Sequence, residues 1–302
     1  MARGSIYNTR ARPSALRRQT LGRRGGGFRW KIMVLFAIGA GVYYFANQKT
    51  VPFTGRTQLR TMKPAQEMQL GLQSYQQILS DSQVLVRGPI VDTVREIGAR
   101  LAQAAAPEDP GFDWTYTVIS SNQVNAFALP GGYTAVYTGI VPVALNEDGL
   151  AAVMGHEIGH ALAHHGAERM AQQNMQRIVG MGVAMGAGGM DTGAQRAVMG
   201  VFGGISKYGF ALPFSRSHES EADYIGLILM ARACYDPREA PKLWARMKQA
   251  SGGNAPQEFA STHPSAETRI ADFNQNMPEA IAIYNQSCSG NISLETSDRN
   301  RE

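Results

Sequence analysis

Two histidines and a glutamate near the middle of the chain have the spacing of a metal-dependent hydrolytic centre. His156 and His160 are four residues apart, and Glu157 directly follows the first histidine. Residues four apart lie on one face of an α-helix, so both imidazoles can bind one zinc ion. Glu157 then lies beside the open coordination position, where it can accept a proton from the attacking water. Hydrolysis of a peptide bond is the chemistry that this pattern favours.

The same helix does not supply a third ligand. One class of zinc peptidases has a third histidine ten residues after the first, but Gly166 occupies that position here. His164 lies about 80° around the helix and about two turns from His156, which is too far to bind the same ion. We therefore expect His164 and His165 to face solvent or to lie behind the ligands.

A carboxylate from another helix is the remaining candidate. Segment 215–223 has the sequence SRSHESEAD and places Glu219 and Asp223 one helical turn apart. Glu219 can complete the metal site, and Asp223 can then accept a hydrogen bond from the free ring nitrogen of a histidine ligand. Charged segments of this kind also form solvent-exposed helix faces, and spacing alone does not separate the two interpretations.

Three segments in this order resemble the HtpX and CAAX-prenyl-protease family of zinc metallopeptidases. They are NAFALPGG at 125–132, HEIGH at 156–160 and SRSHESEAD at 215–223. The chain is most similar to the branch that contains BepA-like and LoiP-like bacterial proteases and the mitochondrial inner-membrane stress protease. It lacks the several hydrophobic spans of HtpX and the extended repeat domain of BepA, so the resemblance favours proteins as substrates over prenylated peptides.

The resemblance implies a role for each residue of the centre. One zinc ion per chain is bound by His156, His160 and Glu219, with Glu157 as the general base and Asp223 behind the ligands.

The resemblance also extends to a later segment. Relatives carry a His-Pro pair followed by an arginine, which match His263-Pro264 and Arg269 in this chain. His263 is then expected to stabilise the oxyanion or to cap the metal. Without the resemblance, a histidine before a proline is an ordinary loop residue.

A short strand before the HEIGH helix is the candidate substrate-binding element. Its backbone N–H and C=O groups can pair with an extended peptide, although an ordinary sheet strand is the alternative interpretation. The residues are Asn125, Ala126, Phe127, Ala128 and Leu129.

The sequence patterns around these groups predict an α+β fold that is mainly helical and of the zincin type. Polar and apolar residues alternate in 114–119 and 133–138, which favours a small β-sheet whose edge strand borders the active-site cleft. Asn146 is a candidate N-cap for the HEIGH helix, which we expect to continue to about Gln173. The metallopeptidase domain is predicted to span 63–285.

The N-terminus carries the positive charge of the protein. Residues 1–31 contain nine of the 29 Lys and Arg residues and no Asp or Glu, so the rest of the chain has 20 basic and 24 acidic residues. A low-complexity basic terminus without a basic domain argues against nucleic acid as a partner. Residues 32–46 are apolar and uncharged, which predicts one transmembrane signal-anchor or, alternatively, the apolar core of a cleaved signal peptide.

This charge distribution also predicts the location of the domain. Positive residues remain on the cytoplasmic side, so residues 1–31 would be cytoplasmic and the domain would lie on the periplasmic side of the inner membrane. Residues 47–62 are predicted to be a linker, and the polar residues 286–302 a disordered tail.

Two further features leave alternatives open. Cys234 and Cys288 are the only cysteines, so they form either one disulfide or two free thiols. Residues 178–206 are rich in Gly, Ala and Met, which indicates a pair of closely packed helices or a hairpin that touches the membrane or gates substrate.

The sequence therefore predicts a membrane-anchored zinc metalloendopeptidase that cleaves misfolded or damaged membrane and envelope proteins. A chaperone-like binding protein with an occluded zinc site is the alternative. A purely structural zinc site is disfavoured, because such sites have four Cys or His ligands.

Overall fold

The computed structural model describes residues 30–187, 216–250, 263 and 269–299. The helices in these residues are α1 (Trp30–Ala46), α2 (Pro64–Ser80), α3 (Pro89–Ala105), α4 (Val141–Ala144), α5 (Glu147–Leu162), α6 (His165–Ala187), α7 (Arg216–Arg232), α8 (Glu239–Ala250) and α9 (Arg269–Arg299). The strands are β1 (Gln48–Thr50), β2 (Thr57–Leu59), β3 (Val84–Leu85), β4 (Thr115–Ile119), β5 (Ala126–Leu129) and β6 (Tyr133–Tyr137). The predicted α+β fold, mainly helical with a small sheet, is confirmed.

Helix α5 carries the HEIGH motif through the centre of the protein. Its N-terminus is capped as predicted, because the Asn146 side chain accepts a hydrogen bond of 2.8 Å from the backbone N–H of Gly149. Every residue from 149 to 162 is buried. Polar side chains in this buried part of the helix need partners, so the polar groups of the motif face other protein groups.

Helix α7 packs against α5 at backbone distance. Gly226 lies so close to α5 that an added Cβ would be 2.8 Å from the backbone nitrogen of His156. One turn away, a Cβ on Gly159 would be 2.9 Å from the carbonyl oxygen of Ala222. The glycines therefore bring the two backbones together and place the acidic residues of α7 opposite the histidines of α5.

The HEIGH helix ends earlier than the sequence predicts. His164 adopts a left-handed backbone conformation, with φ of 54°. A left-handed residue ends an α-helix, so α5 stops at Leu162 and α6 begins at His165, instead of one helix continuing to Gln173. Both His164 and His165 are buried at this bend. The expectation that they face solvent is wrong, and both lie inside the protein.

The four-stranded sheet has the order β3-β4-β6-β5. Strand β6 is parallel to β4 and antiparallel to β5, with Ala126 opposite Val136 and Leu129 opposite Tyr133. Strand β5 is therefore an edge of the sheet, and it packs against α5. The edge strand consequently lies beside the helix that carries the candidate metal ligands.

The N-terminal apolar segment forms α1, which packs against α6, where Phe36 lies against Gly182. Within the described part of the chain, no helix combines the length and the apolar character needed to cross a membrane. The expected transmembrane span at 32–46 is therefore not found.

The segments around the domain also differ from the predictions. Residues 47–62, the predicted linker, contain an antiparallel hairpin of β1 and β2. Helix α9 continues to Arg299, so residues 286–299 are helical. Residues 1–29 and the part of 178–206 after residue 187 lie outside the described residues.

The two cysteines form a disulfide. Cys234, just after α7, is bonded to Cys288 of α9, with the two Cα atoms 5.6 Å apart. This bridge resolves the question that the sequence leaves open.

Replacing Gly226 with alanine tests the contact between α5 and α7. The new methyl group would collide with the backbone of α5, which cannot move aside as a flexible side chain can. We expect the free energy of unfolding to fall by about 1–3 kcal/mol, measured by urea denaturation. Gly166→Ala is the control, since an added Cβ in α6 meets nothing within 4 Å. Equal stability of the two variants would contradict the close approach.

Candidate metal centre

Four buried side chains converge between α5 and α7. His156, His160, Glu219 and His263 each offer a ligand atom, and these atoms lie within 4.8 Å of one another. The Nε2 atoms of His156 and His160 are 3.1 Å apart. The two carboxylate oxygens of Glu219 lie 3.5 Å and 3.4 Å from these nitrogens. Two imidazole nitrogens and a carboxylate are the donor set of a zinc site with an open position.

The polar side chains of this cluster are arranged to bind a cation rather than to satisfy one another's hydrogen bonds. Glu157 Oε1 is buried and accepts no hydrogen bond, with His263 Nε2 its nearest ionic partner at 3.4 Å. Buried carboxylate oxygens normally have a partner, so an unsatisfied one beside three convergent ligand atoms favours a site for a metal ion and water. These buried groups therefore fit a bound metal ion.

Burial sets the protonation of the two glutamates differently. Burial raises the pKa of Glu157, and the nearby His263 and His156 only partly oppose this. Burial acts in the same direction on Glu219, but its contacts with His156, His160 and His263 outweigh burial and hold the pKa well below its usual value. Glu219 is thus an anion suited to binding a cation, and Glu157 is a carboxylate that readily takes a proton.

The two histidines of α5 also differ. Burial lowers the pKa of His160 well below its usual value, which favours the neutral ring that a metal requires. Burial and Arg269 act in the same direction on His156, but hydrogen bonds to Asp223 and Glu219 raise its pKa to about 9. Metal binding at His156 therefore has to release a proton.

Asp223 and Arg269 lie behind the cluster and contact its candidate ligands. His156 Nδ1 is 2.9 Å from Asp223 Oδ1, and Arg269 Nε donates to Asp223 Oδ2 at 2.6 Å. Arg269 also reaches Glu219, with Nη1 and Oε2 3.3 Å apart. Its guanidinium lies over the Trp244 ring, 3.5 Å from the centroid. Sequence reasoning missed Trp244, because an aromatic residue on an amphipathic helix has the pattern of an ordinary core residue.

His263 closes the cluster from a separate segment. Its Nδ1 atom is 3.0 Å from Glu219 Oε1, and its ring centroid is 5.0 Å from that of His156. It therefore lies between the candidate ligand Glu219 and the candidate base Glu157.

A second layer of buried polar groups, which includes His165, lies on the other side of His160. His165 Nδ1 is 2.8 Å from His160 Nδ1, and His165 Nε2 is 2.9 Å from Glu221 Oε2. Burial lowers the pKa of His165 to about 4, so its ring is neutral at pH 7. His164 faces a different partner, with its Nδ1 atom 2.9 Å from Glu67 Oε1. Only the bend at His164 separates these two neighbours, and no sequence periodicity indicates such a bend.

The candidate substrate strand lies beside this cluster but is not part of it. Asn125 directly precedes β5, and its side chain accepts a hydrogen bond of 2.9 Å from the backbone N–H of Ala126. Phe127, Ala128 and Leu129 are partly exposed. Among the described strands, β5 pairs only with β6, so its other edge can pair with an extended peptide.

Comparison with known proteins identifies related sequences. The profile of Peptidase family M48 matches residues 92–276. The mitochondrial metalloendopeptidase OMA1 of Schizosaccharomyces pombe is 38% identical over 258 residues, covering 84% of this chain and 73% of that protein. The OMA1 protein of Saccharomyces cerevisiae is 32% identical over 278 residues, covering 86% of this chain and 78% of that protein. The beta-barrel assembly-enhancing protease of Escherichia coli is 29% identical over 247 residues, covering 80% of this chain and 50% of that protein.

Removal of the Glu219 carboxylate tests the metal centre. Purified protein is expected to contain about one zinc ion per chain, measured by elemental analysis. Glu219→Ala should lose most of it, because two histidines alone form a much weaker site. Glu239→Ala is the control, since Glu239 is a buried carboxylate that pairs with Arg246 rather than with the cluster. Full zinc content in Glu219→Ala would exclude this carboxylate as a ligand.

Proposed function

Because this metalloendopeptidase belongs to peptidase family M48, we propose that a zinc ion bound by His156, His160 and Glu219 supplies its chemistry. The observation that carries the proposal is the convergence of these three buried side chains beside Glu157. When bound, zinc lowers the pKa of water and polarises the carbonyl of the scissile bond.

Glu157 is the proposed general base. Its free carboxylate oxygen can accept a proton from the attacking water and pass it to the nitrogen of the leaving amine. The raised pKa suits this role, because a base must hold the proton before it donates it. Burial excludes bulk water, so the proton stays with the reacting groups.

His263 and β5 act on the substrate in this proposal. The Nε2 atom of His263, 3.4 Å from Glu157, can donate a hydrogen bond to the oxyanion that develops at the scissile carbonyl. The free edge of β5 holds the substrate main chain as an added strand. Arg269 and Asp223 keep His156 in place during the reaction.

We propose misfolded or damaged membrane and envelope proteins as the substrates. Backbone pairing at β5 requires an extended peptide, which an unfolded segment provides and a folded domain does not. The Escherichia coli relative is named as a protease that enhances β-barrel assembly, and that name is compatible with this proposal.

Helix α1 is the proposed site of membrane association. It exposes a continuous set of large apolar side chains, each more than half exposed, which are Trp30, Leu35, Ile38, Val42 and Phe45. Soluble monomers rarely expose an apolar patch of this size without a partner. The Cys234–Cys288 disulfide favours placing the domain on the extracytoplasmic side of the inner membrane, because disulfides persist in oxidising compartments.

A chaperone-like binding protein is the second candidate. The contacts of His263 with both Glu219 and Glu157 favour it, because they cover the groups that would act on a peptide. The two candidates differ in one respect, which is whether the protein cleaves the peptides that it binds.

Glu157→Gln separates these two functions. The amide keeps the shape of the side chain but cannot accept the proton, so cleavage of unfolded casein should fall by about 100- to 10,000-fold while zinc content stays unchanged. Glu147→Gln, the same substitution on the exposed first turn of α5, is the control and should cleave normally. Undiminished cleavage by Glu157→Gln would refute the mechanism. Zinc-containing wild-type protein that binds casein without cleaving it would support the chaperone.

Charged substitutions on α1 test membrane association. The triple variant Leu35→Glu, Ile38→Glu, Val42→Glu should no longer float with phospholipid vesicles, because each charge costs about 2–4 kcal/mol in an apolar environment. Cleavage of soluble casein should be retained. Val86→Glu alters a side chain that is 72% exposed outside α1 and should float like the wild type. Flotation of the triple variant would show that α1 is not the attachment site.

A further inference from the structure

The two histidines of the HEIGH motif are supported in different ways. The Nδ1 atom of His156 faces a carboxylate, Asp223 Oδ1, at 2.9 Å. The Nδ1 atom of His160 instead faces another imidazole, His165 Nδ1, at 2.8 Å. An imidazole can accept a hydrogen bond as well as donate one, so the support of His160 depends on where the proton of His165 lies.

A metal ion bound by His160 would set both proton positions. The Nε2 atom of His160 faces the cluster and must be free of a proton to bind a metal. The His160 proton is then on Nδ1 and is donated to His165 Nδ1. The His165 proton is consequently on Nε2, where Glu221 Oε2 accepts it at 2.9 Å. In the row formed by His160, His165 and Glu221, each hydrogen bond then has one donor and one acceptor.

Glu221 is held in turn by the hairpin of β1 and β2. Arg56 Nε donates to Glu221 Oε2 at 2.7 Å, and the hydroxyl of Thr54 also donates to this carboxylate. The same arginine pairs with Glu168 of α6, with Nη2 and Oε2 2.7 Å apart. The side chains of both glutamates are only 5% exposed. Charges at that depth require a fixed partner, so Arg56 determines where Glu221 lies.

His165 is also restrained across its ring face. Its ring stacks on His218 of α7, with centroids 4.4 Å apart, and His218 Nε2 lies 3.0 Å from Glu168 Oε2. Stacking on His218 therefore fixes the plane of the His165 ring. The contact with Glu221 fixes how the ring is rotated within that plane.

We propose that His165, oriented by Glu221 and through it by Arg56, is a positioning residue that fixes the proton and the ring plane of the ligand His160. The inference rests on the proposed zinc site. Groups that orient a metal ligand in this way change metal affinity by about 10- to 100-fold when they are removed. The hairpin that follows α1 therefore contributes to the affinity of the site, although it supplies no ligand.

Substitutions of His165 test the first part of the proposal. His165→Phe keeps a ring in the stack but cannot accept the proton of His160, so zinc release to a chelator should be about 10- to 100-fold faster. His165→Asn retains an acceptor oxygen near the position of Nδ1 and should restore part of the affinity. The cobalt-substituted variants provide a second measurement, since a reoriented His160 alters the visible absorption bands. His164→Asn is the control, because His164 is equally buried but pairs with Glu67.

A double-mutant cycle tests whether Arg56 acts through His165. The Arg56 side chain is 29% exposed, and circular dichroism establishes that Arg56→Met is folded before its zinc release is measured. We expect Arg56→Met to accelerate zinc release by itself and to add little in the His165→Phe background. Additive effects, or zinc release at the wild-type rate in Arg56→Met, would overturn the coupling.

Different results would refute the proposed zinc site and the positioning role of His165. Wild-type protein that binds no zinc would refute the site and with it the positioning role. Wild-type protein that binds zinc, with His165→Phe indistinguishable in release rate and cobalt spectrum, would refute only the positioning role.

Discussion

The contact between α5 and α7 at backbone distance is the constraint on which the centre depends. Gly226 lies against His156, and Ala222 lies against Gly159, so the two helices run in opposite directions at this crossing. Asp223 and Glu219 are four residues apart on α7, as His156 and His160 are on α5. Asp223 therefore lies beside His156, and Glu219 lies beside His160. A larger residue at the contact would separate the helices, and the carboxylates could then not reach the imidazoles.

The charges gathered by this contact are balanced from outside the helix pair. Arg269, at the start of α9, neutralises Asp223 and Glu219, while Arg56, from the hairpin, neutralises Glu221 and Glu168. Buried carboxylates without such partners would be protonated or would destabilise the fold. Helix α9 is also joined to the end of α7 by the disulfide. Segments near both ends of the chain therefore stabilise a centre whose ligands come mainly from its middle.

Local spacing predicts the core of this centre but not its surroundings. The pattern of His156, Glu157 and His160 specifies one helix face, and the structure has that face. Spacing places Glu219 on one helix face with Asp223 but does not separate a metal ligand from a solvent-exposed residue, and only the resemblance favoured Glu219 as a ligand. The role of His165 depends on a left-handed residue at His164 and on an arginine more than 100 residues earlier. Neither leaves a periodic signal, because one is a single backbone angle and the other is a tertiary contact.

The supporting layer also connects the centre to the proposed membrane-associated helix by two routes. The chain passes from α1 directly into the hairpin that carries Arg56, and α1 packs on α6, the helix that begins with His165. Both routes end at the groups behind His160. The orientation of α1 at a membrane surface would thus fix the direction in which the β5 edge and the metal site face. If the proposed membrane association holds, substrate choice depends on which extended segments near the membrane can reach that edge.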